Sequence, residues 1–235
     1  MRQLILKDFA IQKKSMPVYL SLAALFFLFY YTMGDLNLTA IMMPVFIVAY
    51  SFTNRSLAED ERNHTLRLLV SLPLYRNQLV RAKYASVSLV VFPLFLLFAV
   101  VGYAFGLKVP GVDESDPNGF GVVALFMSLL LLTFMVIMSV YLPLVYKLGY
   151  IKAQTINRFV ILFIFAIGAG AGALLSRLAK LYGDKGTPGW LEDLVGVLER
   201  MNLFVLSAMI IAIALILFLL SMLVSMRLFE RKQLF

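Results

Sequence analysis

Six long apolar segments follow one another along this chain, and they constrain its fold more than any other feature. A helix needs about 20 mostly apolar residues to cross a bilayer, and each segment is close to or above that length. The segments are residues 18–33, 39–54, 84–107, 119–146, 159–176 and 203–226. The composition agrees, because 62% of residues are hydrophobic and only 14% are charged, with a mean hydropathy of +0.90. The sequence therefore predicts an all-α, polytopic membrane protein with six transmembrane helices.

The connections between these segments leave no room for a separate soluble domain. We therefore interpret residues 1–235 as a single transmembrane domain with a basic, amphipathic N-terminus at residues 1–16. The chain has no cysteine, which excludes disulfides, thiolate metal sites and a cysteine nucleophile. It has one histidine, His64, and no phosphate-binding loop of the G-x-x-x-x-G-K-[ST] type. We predict no catalytic residue, no metal site and no cofactor bound by this chain.

The distribution of basic residues predicts how the chain sits in the bilayer. If the N-terminus is cytoplasmic, most of the 21 lysines and arginines fall in the cytoplasmic connections, as the positive-inside rule expects. Both termini then face the cytoplasm, and the net charge of +8 favours contact with anionic lipid. Nucleic acid is not expected as a partner, since no interleaving of basic and aromatic residues accompanies the charge.

The middles of the six segments contain no Asp, Glu, Lys, Arg or His. Such residues usually mark ion paths and proton relays in membrane proteins, so ion-coupled transport has no visible apparatus here. Any energy input must come from another chain, although a passive channel stays open as an alternative. Serine, threonine and tyrosine do occur in the segments. They indicate either helix packing or a weakly polar pathway suited to amphipathic or lipid-like cargo.

Two further groups of residues concern helix geometry. Pro44 and Pro93 lie inside the second and third segments, where a missing backbone hydrogen bond favours a kink, and we regard them as candidate hinges. Gly168, Gly170 and Gly172 give the fifth segment a small-residue face that allows close helix packing. That packing is either internal or at a subunit interface.

The longest outer connection, residues 177–202, has an amphipathic pattern. Trp190, Leu194, Leu198 and Met201 recur at helical spacing, with charged residues elsewhere. This predicts an interfacial helix before the sixth span, anchored at headgroup level by Trp190. A gate or a substrate contact is the alternative reading.

A dense hydrophilic stretch, residues 55–83, separates the second and third spans. Acidic residues 59–61 precede Arg62, which suits the start-to-end polarity of a helix. Pro73 then forces a break, after which a second short helix can lead into the third span. The pattern predicts a cytoplasmic elbow, with Arg76, Arg81 and Lys83 near lipid phosphates. A plain surface elbow anchored by these bases is the alternative.

The elbow also carries a family likeness. Glu61, Thr65 and Leu66 are followed by the run Leu68-Leu69-Val70-Ser71-Leu72-Pro73, then by Arg76, Leu79-Val80 and Lys83-Tyr84. In these residues the chain resembles permease subunits of type 2 ATP-binding-cassette (ABC) transporters. Six spans, cytoplasmic termini and an interfacial segment before the last span extend the resemblance to the whole chain.

The resemblance implies a non-catalytic exporter permease in the bacterial cytoplasmic membrane. Two permease copies, identical or different, form the pathway, and two separate ATPase subunits hold ATP and magnesium. The elbow docks in the ATPase, and the contact residues implied are Glu61, Arg62, Thr65, Leu66, Leu69, Leu72, Pro73 and Arg76.

The small size is similar to exporters of phenol-soluble modulins, which are amphipathic helical peptides, and to resistance permeases for bacitracin or lantibiotics. An amphipathic or antimicrobial peptide is therefore the expected cargo. An ion-uncoupled channel or carrier and a toxin-immunity scaffold are the alternatives.

Overall fold

The computed structural model describes residues 2–13, 15–32, 38–62, 76–104, 119–182 and 202–231. Within these residues the fold is all-helical, as the sequence predicts. The helices are α1 (Arg2–Gln12), α2 (Met16–Thr32), α3 (Leu38–Arg62), α4 (Arg76–Ala104), α5 (Gly119–Leu148), α6 (Tyr150–Tyr182) and α7 (Leu203–Arg231).

Four of these helices are long and apolar enough to cross a membrane. Their spans are Asn77–Val101, Gly121–Leu148, Tyr150–Gly168 and Leu203–Glu230, and a shorter apolar stretch covers Met16–Phe26 in α2. They match the third to sixth predicted segments. Helices α2 and α3 coincide with the first two predicted segments, but their described residues do not form a span that is long and apolar enough by the same measure. The count of six spans therefore stays a prediction.

The core of the bundle is centred on α5. Phe134, Met135, Met138, Tyr141 and Leu142 of this helix are fully buried. α5 packs most extensively against α7 and also contacts α3, α4 and α6. Because α5 contacts four other helices, it has the most buried apolar window of the four spans, with half of that window buried.

A glycine allows the N-terminal ends of α5 and α7 to pack closely against each other. A β-carbon on Gly121 would lie 3.1 Å from Cβ of Leu203, closer than side chains normally pack. The hydrogen side chain of glycine therefore sets the separation of the two helices at this point. No sequence pattern distinguishes Gly121 from the other glycines.

A single glycine also separates α5 from α6. Gly149 has φ of +88°, in the left-handed region that favours glycine, and its N–H donates to the carbonyl of Val145. We expected a cytoplasmic connection here, with the fifth segment starting at Phe159. The start of the fifth segment was misplaced, because α6 begins at Tyr150, directly after the turn. The cytoplasmic placement of this connection stays a prediction.

Much of α6 is exposed within the single chain. Phe159, Leu162 and Phe163 project from the bundle, and no atom outside the local helix lies within 4 Å of a β-carbon placed on Gly168 or Gly170. These two glycines therefore do not support close packing among the described residues. Gly172 lies in α6, but its surroundings are outside the described residues.

The candidate hinges and the interfacial anchor have different outcomes. Pro44 is buried in α3 and Pro93 is exposed in α4, and both helices continue through their proline. Their role as hinges stays a prediction. Trp190 and the predicted interfacial helix lie outside the described residues.

Candidate coupling site at one end of the bundle

The structure describes the two ends of the predicted elbow. α3 ends with Glu61 and Arg62, whose side chains are both exposed, and α4 begins at Arg76. The side chain of Arg76 is outside the described residues, as are five other predicted contact residues: Thr65, Leu66, Leu69, Leu72 and Pro73. We call residues 63–75, which join the two helices, the coupling segment.

The end of α3 lies beside the junction of α5 and α6. A β-carbon on Gly149 would be 3.6 Å from Oε1 of Glu61. Glu61 is therefore exposed but close to a second turn of the chain. The end of α3, which precedes the coupling segment in the chain, therefore lies next to the α5–α6 junction.

A group of four buried or half-buried charged side chains joins α3 and α4, the two helices that flank the coupling segment. Lys83 of α4 is only 6% exposed, and its Nζ lies 2.6 Å from Oδ2 of Asp60 in α3 and 3.1 Å from Oδ1 of Asp8 in α1. Nζ of Lys7, also in α1, donates to Oδ1 of Asp60 at 2.6 Å. We call Lys7, Asp8, Asp60 and Lys83 the ion cluster.

Serine side chains complete the hydrogen bonding of the ion cluster. Ser86 donates to Oδ2 of Asp8 at 2.8 Å, and Ser56 accepts from Lys83 through both its hydroxyl and its carbonyl oxygen. The two lysines and two aspartates balance in charge. Buried charges are tolerated when they are paired and hydrogen-bonded in this way.

The ion cluster corrects our expectation for Lys83. We placed Lys83 with Arg76 and Arg81 near lipid phosphates, but its ammonium points into the protein. Arg81, on another face of α4, is exposed. A lysine just before an apolar segment looks the same in the sequence whether it meets lipid or a buried carboxylate, so the periodicity could not separate the two cases.

α1 reaches the cluster through an ordinary helical repeat. Leu4 and Asp8, four residues apart, share a face, and Leu4 packs on the apolar core while Asp8 is buried. Phe9 lies against Phe52 of α3, with 5.9 Å between ring centroids. Our sequence analysis treated residues 1–16 as a basic, amphipathic cytoplasmic N-terminus and missed Asp8. Its spacing from Leu4 was the available signal.

Burial and ion pairing act in opposite directions on Asp60. Burial raises the pKa of this carboxyl, but the ammonium groups of Lys83 and Lys7 outweigh it and hold the pKa below its ordinary value of 3.8. Asp60 is therefore ionised at neutral pH. Asp60 therefore enters the cluster as a carboxylate.

Several polar uncharged side chains of the spans form hydrogen bonds between helices. The hydroxyl of Tyr84 in α4 is 2.8 Å from Oγ of Ser221 and 2.7 Å from Oγ of Ser225 in α7, and Ser221 donates to the carbonyl of Ser139 in α5. These bonds join three helices at buried positions. They support the packing interpretation for Ser221 and Ser225.

A second polar group joins α3 to α5 and α6. Oδ1 of Asn54 accepts from the hydroxyls of Tyr141 and Tyr150, at 2.8 and 3.1 Å. Asn157 donates to the hydroxyl of Tyr50. Among the residues that the structure describes, no group of three or more metal-binding side chains occurs.

Comparison with known proteins identifies the family. The sequence model described as ABC-2 family transporter protein matches residues 3–230, from α1 through the coupling segment to α7. No curated protein and no solved structure matches the chain. With its apolar spans and a family match over almost its whole length, the chain belongs to the ABC-2 family of transporter proteins, as a multi-pass membrane permease of an ABC transporter.

Proposed function

We propose that this chain is the permease subunit of an ATP-driven exporter in the bacterial cytoplasmic membrane. Two permease copies form the pathway, two separate ATPase subunits bind ATP and magnesium, and the N-terminus is cytoplasmic. The observation that carries the proposal is the family match over residues 3–230, which includes the coupling segment.

The coupling segment is the contact that we assign to the ATPase. Glu61 and Arg62 stand exposed where α3 ends, and Arg76 begins α4. The ion cluster fixes the helices just behind both ends of this segment. Such an arrangement suits a lever, because a force applied to the segment meets anchored helices instead of loose chain.

The proposed cargo is an amphipathic or hydrophobic peptide, of the phenol-soluble modulin or antimicrobial kind. The middles of the spans carry no charged residue, which disfavours a path for small ions.

α6 presents an apolar groove of about 570 Å³ lined by residues that include Ile156, Phe159 and Phe163. We assign this face to the second permease copy or to lipid beside the pathway.

Reconstitution tests the proposal. The chain is co-purified with its ATPase subunit, placed in lipid vesicles, and assayed for ATP hydrolysis and for transport of a synthetic phenol-soluble modulin. Glu61→Arg and Arg76→Glu should each reduce peptide-stimulated hydrolysis and transport, because they reverse charges at the assigned contact. Arg81→Glu is the matched control, since Arg81 is exposed on α4 and is not one of the assigned contact residues.

Other results would reject the assigned contact or support one of the alternative functions. Full transport by the Glu61 and Arg76 variants would reject the assigned contact. Transport without the ATPase would identify a channel or carrier. Tight binding of a peptide toxin that is never moved across the vesicle membrane would identify an immunity scaffold.

A further inference from the structure

The four charges of the ion cluster are distributed unequally among the helices. α1 contributes one lysine and one aspartate, Lys7 and Asp8, whose charged atoms lie 3.9 Å apart. α3 contributes only Asp60, and α4 contributes only Lys83, and these two are paired at 2.6 Å. The two charges of α1 cancel each other, and so do the charges of α3 and α4. α1 also contacts both of the other helices, because Lys7 pairs with Asp60 at 2.6 Å and Asp8 pairs with Lys83 at 3.1 Å.

This distribution makes the two contacts unequal under load. Separating α3 from α4 would leave Asp60 with Lys7 alone and Lys83 with Asp8 alone. Because Lys7 and Asp8 both belong to α1, which cannot follow both helices, one of the two charges would lose every partner at a buried site, which is strongly unfavourable. Moving α1 away leaves both remaining pairs intact. The α3–α4 contact resists separation, whereas α1 can leave without stranding a charge.

We propose that Asp60 and Lys83 form a positioning pair that makes α3 and α4 move as one body when the coupling segment is displaced. This inference rests on the proposed function, because the displacement comes from the ATPase. The pair stands directly behind both ends of the segment: Asp60 is two residues before the end of α3, and Lys83 lies two turns into α4. Without it, movement of the segment would be absorbed as separation of α3 from α4.

The pair also reaches the rest of the bundle. One residue after Lys83, Tyr84 bonds to Ser221 and Ser225 of α7 and packs on Phe218, with 4.8 Å between ring centroids. A displacement of α4 is therefore passed to α7 through a neighbouring residue. Two contacts therefore connect α3 to α7 through α4: the Asp60–Lys83 pair, and the hydrogen bonds of Tyr84 to α7.

Charge-balanced variants test the pair without stranding a charge. Asp60→Asn/Lys83→Met removes the α3–α4 pair and leaves Lys7 with Asp8. In the reconstituted complex with the ATPase, this variant should still hydrolyse ATP, but the amount of phenol-soluble modulin transported per ATP should fall by about tenfold, a typical coupling effect. Size-exclusion profile and melting temperature verify that the variant is folded.

The matched control removes the other pair. Lys7→Met/Asp8→Asn leaves Asp60 with Lys83, so transport per ATP should stay within about twofold of the unmodified complex, below the usual range of coupling effects. An equal loss in both variants would overturn the proposal and indicate that the cluster serves folding alone.

A reversible cross-link separates positioning from folding. Because the chain has no cysteine, Ser56→Cys/Asp60→Asn/Lys83→Cys introduces two unique thiols on facing side chains of α3 and α4. Bridging them with a short bis-methanethiosulfonate reagent should restore transport per ATP, and reduction should abolish it again. A bridge that stops transport or leaves it uncoupled would overturn the proposal.

The failure of this inference is distinguishable from failure of the proposed function. If the unmodified complex transports the peptide and Asp60→Asn/Lys83→Met does so equally well, the positioning pair is rejected and the exporter stands. If the unmodified complex shows no ATP-dependent transport, the exporter is rejected, and the positioning pair falls with it.

Discussion

Two regions of this bundle are held together by different physics. At one end, the ion cluster joins α1, α3 and α4 through short, directional contacts such as that between Lys83 and Asp60. Along the core, α5 and α7 meet over a long apolar seam, where Gly121 sets how closely the helices approach. The stability of the cluster depends on every charge having a partner. The stability of the seam depends on how well the side-chain volumes of the two helices fit together.

The difference concerns what each region tolerates. A buried ion pair can be replaced whole by neutral groups at little cost, but removing one partner is expensive. A packed seam responds to any added volume, because neighbouring side chains have little room to move. The ion cluster is thus suited to join moving elements, and the seam to hold a fixed core.

The largest effect is expected when the cluster loses one charge. Lys83→Leu leaves Asp8 and Asp60 sharing Lys7, so the free energy of unfolding should fall by about 3–5 kcal/mol, the usual result of stranding a buried charge. Unfolding in detergent micelles followed by circular dichroism measures it. Asp60→Asn/Lys83→Met should cost far less. A single variant no less stable than this double variant would contradict the account of the cluster.

A smaller effect is expected from added volume in the seam. Gly121→Val brings a β-carbon to within 3.1 Å of Cβ of Leu203 and should cost about 1–3 kcal/mol in the same assay, as overpacking does. Leu203→Gly in the same chain removes that Cβ and should recover part of the loss.

Gly168 of α6 provides the matched comparison for Gly121. Because no atom outside the local helix lies within 4 Å of a β-carbon at Gly168, Gly168→Val should leave the monomer almost unchanged. Equal losses for the two glycines would mean that helix propensity dominates, not the approach of α7. A loss confined to the assembled complex would place Gly168 at the proposed interface between permease copies.

The smallest effect is expected from pH, and it should be confined to the ion cluster. The folded-state pKa of Asp60 lies below the ordinary value of 3.8, so its stabilising contribution is complete above that value and is lost as pH falls through the lowered pKa. Because burial opposes the ion pairs, the net contribution is modest. Melting temperatures below about pH 4 should fall more steeply for the natural sequence than for Asp60→Asn. Parallel slopes would contradict the assignment.

The fold was largely predictable, because apolar length and helical periodicity report directly on transmembrane helices. The last four apolar segments correspond to the spans of α4, α5, α6 and α7. The start of α6 was misplaced since Lys152 and Arg158 resemble a charged connection, yet both lie exposed on a continuous helix. Charge near the end of a span does not by itself end a helix.

The site was predictable only in outline. The hydrophilic stretch and its proline located the coupling segment, and the acidic residues before Arg62 marked its first end. Neither Asp8 nor Lys83 stood out, because each is a single charge flanking an apolar run. Their pairing required three helices to converge, and that convergence is set by packing of α1 and α4 on α3.

By itself the sequence determined that the chain is a helical membrane protein with one charged segment between its second and third apolar stretches, since hydrophobic length and composition decide where a bilayer accepts a helix. The tertiary structure alone decided which charges are buried together and which glycine lies in a close contact. Burial depends on the neighbours that other helices bring, and residues such as Asp8 and Lys83 meet only when α1 and α4 pack against each other.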